Sequence, residues 1–73
     1  MMENKIERIT KATAKSYIHD GYKLLDYEFN EISQLAIYYF KHSNGNKIKI
    51  VGDTIDQKIN IYLNGKLNKT ISL

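Results

Sequence analysis

Two Asn-Gly pairs, Asn44-Gly45 and Asn64-Gly65, each sit between runs that alternate apolar and polar residues. Asn and Gly tolerate the positive φ values of the tight turns whose twist matches that of paired strands. Each pair is therefore a strong short-range sign of a β-hairpin. The flanking segments read as strands: Leu35 to His42 (LAIYYFKH), Lys47 to Val51 (KIKIV), Lys58 to Leu63 (KINIYL) and Leu67 to Leu73. All four contain β-branched or aromatic residues. Gly52-Asp53 is expected to open the loop between the two hairpins. Upstream, Tyr22 to Phe29 also alternates, with Leu25, Tyr27 and Phe29 on one side and Asp26 and Glu28 on the other.

Before Gly21 the period is different. Ile6, Ile9, Thr13 and Tyr17 recur at helical spacing, which predicts a helix from about Lys5 to His19 with those four residues as its buried stripe. Asn4 and Glu7 have the spacing of a capping-box variant at its start, and Gly21 supplies a left-handed residue at its end. Its other face collects Arg8, Lys11, Lys15 and His19. A second helix competes for residues 25–39, because Leu25, Phe29, Ile32, Ala36 and Tyr39 also fall at helical intervals. The aromatic and β-branched density of Ile37-Tyr38-Tyr39-Phe40 favours strands there. The expected fold is α+β: one N-terminal helix packed on a four- to five-stranded antiparallel sheet, a meander with two Asn-Gly hairpins. Its 73 residues leave room for one domain, residues 1–73.

Register decides which side chains share a face. A two-residue loop at Asn44-Gly45 sets Phe40 opposite Lys49 and Tyr38 opposite Val51, whereas a bulged three-residue loop sets Tyr39 opposite Lys49. Either way an aromatic ring stands beside Lys49, on the face that also carries Lys47. At Asn64-Gly65, a two-residue loop would send Leu67 and Ile71 away from the face of Ile59, Ile61 and Leu63. A three-residue loop with Gly65 at a bulge keeps them together and is expected. Lys69 then points into an apolar face, as edge-guarding lysines do.

The chemistry-bearing residues are sparse. There is no cysteine, so neither a disulfide nor a thiolate metal site is expected. His19 and His42 have no histidine at ligand spacing, and turn chemistry accounts for Asp53 and Asp56 better than a metal does. Ser16, Ser33, Ser43 and Ser72 show no nucleophile signature. The four glycines form no phosphate cradle. No enzyme, cofactor or metal is expected.

Charge is uneven. Residues 21–34 carry Lys23 against Asp26, Glu28 and Glu31, while residues 35–73 carry six lysines against Asp53 and Asp56. The net charge of +3 assists an encounter with either nucleic acid or an acidic protein without choosing between them. The first residues are mixed in charge, with no apolar run of a signal peptide or membrane span, so a cytoplasmic, soluble protein with no membrane contact is expected. Lysine, isoleucine, asparagine and tyrosine, all with A/T-rich codons, are abundant, and small genes of this bias are often accessory genes of phages or mobile elements.

Two functional readings follow. The first is a small non-enzymatic protein-binding accessory factor, an inhibitor of a host defence protein encoded by a phage or mobile element. It would use Asp26, Glu28 and Glu31 against a basic groove, or the basic helix face of Arg8, Lys11 and Lys15 against an acidic surface. The second is a small nucleic-acid-binding protein using Lys47 and Lys49 with a neighbouring ring, Tyr38 or Phe40 among the candidates, or the Arg8, Lys11 and Lys15 face. A homodimer is also expected, because a small sheet with a tyrosine-rich edge gains from burial.

Overall fold

The computed structural model describes residues 5–73; Asn4, the expected helix cap, lies outside them. Helix α1 (Lys5–His19) is followed by β1 (Lys23–Asn30), β2 (Leu35–Lys41), β3 (Lys47–Asp53), β4 (Lys58–Leu63) and β5 (Lys66–Ser72). The strands form one antiparallel sheet in the order β1-β2-β3-β4-β5. The competing helix over residues 25–39 does not form, and that stretch is β1, a turn and the first half of β2.

α1 lies chiefly across β3, with β2 and β4 to either side. Its most buried residues are Ile6, Thr10 and Ala14, while Ile9 and Tyr17 pack partly buried at the core's margin and Thr13 is half-buried. The expected stripe is therefore rotated by part of a turn. The rotation brings small residues to the closest approach, directly over Gly52. A Cβ at Gly52 would overlap the Thr10 side chain. Thr10 satisfies its own buried hydroxyl by donating to the Ile6 carbonyl, at 2.6 Å. Gly52 is thus the last buried residue of β3, and Asp53 ends the strand where the loop opens, two residues later than the sequence suggested for the strand's end. Beneath α1, the core is Phe40, Ile48, Ile50, Ile59 and Ile61.

The helix ends as Gly21 implied. With φ of 95° at Gly21, the amide of Tyr22 reaches the Tyr17 carbonyl at 3.0 Å and that of Gly21 reaches Ile18 at 3.1 Å. These are the two bonds of a Schellman cap. Its hydrophobic contact is the edge-to-face pair Tyr17–Tyr22, with centroids 5.4 Å apart.

Two bulges correct the parity of the outer strands. In β1, Leu24 pairs with Phe40 and Asp26 with Tyr39, leaving Leu25 as the extra residue. Leu24, Tyr27 and Phe29 therefore take the helix side, and Leu25 joins Asp26 on the other. In β5 the bulge falls at Asn68, because Lys69 pairs with Ile61 and Leu67 with Tyr62. The Asn64-Gly65 loop has two residues, both with positive φ, and not the bulged three that were expected. The bulge lies three residues further on. It keeps Ile71 against Ile59 and sends Leu67 to the open side.

Candidate binding surfaces

Because α1 is narrower than the sheet, the molecule has two faces of different character and two thinly covered edges, β1 and β5. The first hairpin fixes what the open face displays. Its loop is Ser43-Asn44-Gly45, closed by His42 and Asn46 and turned at Gly45, and the resulting register pairs Tyr39 with Lys49. Of the two rings that the other register would have put on the lysine face, Phe40 opposite Lys49 and Tyr38 opposite Val51, Phe40 is only 1% exposed within the core and Tyr38 packs against that core from the helix side. Neither stands beside the lysines. Lys47 and Lys49 do share the open face, and the aromatic residues beside Lys49 are Tyr39 on β2 and Tyr62 on β4.

Across this face the registers define rows. One row is Lys23–Lys41–Lys47 on β1, β2 and β3. The next is Asp26–Tyr39–Lys49–Tyr62–Leu67, spanning all five strands. Lys49 extends its ammonium to 5.4 Å from the centre of the Tyr62 ring. Leu25, Tyr39, Lys47, Lys49 and Tyr62 line a depression of ≈ 360 Å³.

The edge strand β1 is the second candidate surface. All eight of its residues are exposed. On the helix side, Leu24, Tyr27 and Phe29 are 43, 48 and 38% accessible. Tyr27 rests on Tyr38 with ring centres 4.7 Å apart, which fixes one ring of this patch on a half-buried support. On the open side stand Asp26 and Glu28, and Glu31 follows in the turn, all exposed. The three acidic residues named from sequence are thus gathered along one edge. Arg8, Lys11 and Lys15 are exposed on α1, which packs chiefly against β3.

The turns that join β1 to β2 and β3 to β4 share a design. Asn30 accepts from the amides of Ile32 and Ser33, and Asp53 accepts from those of Ile55 and Asp56, all at 2.9–3.0 Å. Gln34 and Gln57 then take φ of 58° and 56°, and each returns its side-chain amide to the carbonyl three residues back. The sequence signal is Asn-Glu-Ile-Ser-Gln repeated as Asp-Thr-Ile-Asp-Gln, offset by 53 − 30 = 23 residues. The same offset carries Tyr39 onto Tyr62, so this repeat would have identified the flanking pair of tyrosines. Asp53 serves as a turn cap, as expected of that loop. Among the described residues no group of three or more His, Asp or Glu side chains is placed to hold a metal, and no helix is long and apolar enough to cross a membrane.

What the fold and surfaces define is an α+β sheet domain with an uncovered edge and an uncovered face. Comparison with protein-family models, curated proteins and solved structures found no match.

Proposed function

We propose that the chain is a small non-enzymatic protein-binding factor that docks its partner along β1. The observation that carries this reading is the edge itself, where three large apolar side chains on one side stand beside two carboxylates on the other. An exposed strand edge is a ready template for pairing with another chain, and structures normally blunt it with lysines, prolines or a cover. β5 follows that rule, since it carries Lys66 and Lys69 and a bulge at Asn68. β1 carries a bulge at Leu25 but keeps Leu24, Tyr27 and Phe29 exposed. Aromatic anchors of this kind dominate binding energy when a partner desolvates them. Asp26, Glu28 and Glu31 would form the rim, so the partner surface they suit is an apolar groove bordered by lysine or arginine.

This geometry favours a heterologous complex over the homodimer expected from size. Two copies paired antiparallel through β1 would bring the carboxylates of both chains onto one face of the joined sheet, and opposed like charges are destabilising. Light scattering at tens of micromolar is expected to return the monomer mass. A small accessory protein that occupies a basic-rimmed groove acts by blocking it, which is how an inhibitor from a phage or mobile element would work in the cytoplasm.

The test is affinity capture from the native host with three baits: the wild type, Tyr27→Ser with Phe29→Ser, and Lys47→Gln with Lys49→Gln. A discrete protein should be retained by the first and third and lost with the second, whose folding is checked by thermal melting. Equal retention by all three baits, or no specific protein with any, would overturn the assignment of β1.

A further inference from the structure

We propose that the open face of the sheet is a second binding site, independent of β1, whose ligand is single-stranded nucleic acid.

The first support is an arrangement of charge that folding alone does not favour. Lys23 stands directly opposite Lys41, and Lys41 directly opposite Lys47, on neighbouring strands. Directly opposed like charges cost stability in a sheet. Lys49 follows Lys47 on the same face, one row on, so four lysines share one end of an uncovered surface. A polyanion lying across these strands would relieve the repulsion and release counterions as it bound.

The second support is the nature of the adjoining row. Tyr39 and Tyr62 flank Lys49 on either side, at equivalent positions after the turns that end at Gln34 and Gln57. They stand two strand spacings apart, about 10 Å, so each ring can take its own base. Both are half-buried on the face that α1 does not cover, anchored in the sheet yet accessible. Leu25 and Leu67, 59 and 58% exposed, extend the apolar strip at its two ends. Flat rings supported by a sheet, with lysines beside them for the phosphates, are what sequence-tolerant recognition of unpaired bases requires. A duplex hides its bases from such rings. A simply acidic protein would use the lysines and leave the tyrosines without a role. Of the acidic groups of this face, Asp26 ends the Tyr39–Lys49 row on β1, Glu28 lies one row further from the lysines, and Asp53 lies at the far end of β3.

The test is fluorescence anisotropy with a labelled oligothymidylate, titrated across salt. For four phosphate contacts the logarithm of the affinity should fall against the logarithm of salt with a slope of roughly −3. Lys41→Gln with Lys47→Gln should flatten that slope by about 1.4. Tyr39→Ala and Tyr62→Ala should each weaken binding about tenfold or more and leave the slope unchanged, while the two Phe variants keep the affinity. The Tyr27→Ser, Phe29→Ser protein should bind the oligonucleotide as the wild type does, which keeps the result separate from the fate of the β1 assignment. Absence of binding at low salt would overturn the proposal. Binding unaffected by loss of both rings, or displaced equally well by duplex or by polyglutamate, would also overturn it by reducing the face to a polycation.

Discussion

Gly52 and Thr10 show how a single pair of positions sets the distance between helix and sheet. Only a residue without a Cβ allows α1 to rest on β3 here, and Thr10 fills the space that the glycine leaves. Replacing Gly52 by alanine should cost about 1–3 kcal/mol of stability, the usual range for overpacking a close contact. Thr10→Ala in the same chain should return part of that loss, which denaturant titration of the two single variants and the double variant would measure. Tyr17 offers a second residue-scale prediction. Burial, with smaller contributions from Tyr22 and Asp20, raises its pKa above the ordinary 10.0. The folded state therefore holds this proton more tightly than the unfolded chain does. Its contribution to stability is complete below pH 10 and is lost as pH rises from there through the raised folded value. Tyr17→Phe should accordingly show a shallower fall in unfolding free energy above pH 10; an unchanged slope would mean that Tyr17 is not the group involved.

At the scale of elements, the helix, the strand count and the antiparallel order were legible because each rests on a local pattern that the core reinforces. The helical period before Gly21 and the alternation after it report burial on one face, and Asn-Gly reports the turn. The outer strands were read less well, for a reason that Asn68 makes concrete. Alternation reveals that parity must change between Leu63 and Ile71, but it does not reveal where. A bulge in the loop and a bulge within the strand satisfy the same pattern, and the choice is made by the match between a two-residue turn and the twist of the strands. Deleting Asn68 tests this account. With the turn fixed, the deletion removes the unpaired residue, leaves Ile71 opposite Ile59 in a regular strand, and should therefore cost less than the ~1.5 kcal/mol expected for exposing that side chain. A loss of about 1.5–3 kcal/mol would show that Ile71 had moved to the open face and that the parity change lies in the loop and not at Asn68.

For the whole molecule, one helix cannot cover five strands, and the surfaces proposed for binding are what it leaves over. The acidic edge was readable in sequence as Asp26, Glu28 and Glu31, whereas its apolar side was not. Leu24, Tyr27 and Phe29 look like core residues in any alternating strand, and only the position of α1 over β3 shows that nothing deep lies above them. Lys47 and Lys49 were likewise legible as a pair, but their ring partners depended on a loop of three residues instead of two. The central claim is that β1 is the docking edge. Its most direct measurement is photo-crosslinking in the native host with a benzophenone amino acid placed singly at Tyr27, at Phe29 and, on the opposite edge, at Thr70. The account predicts one protein adduct of the same mass at Tyr27 and Phe29 and none at Thr70. Adducts that form equally at Thr70, or fail to form at either β1 position, would contradict it.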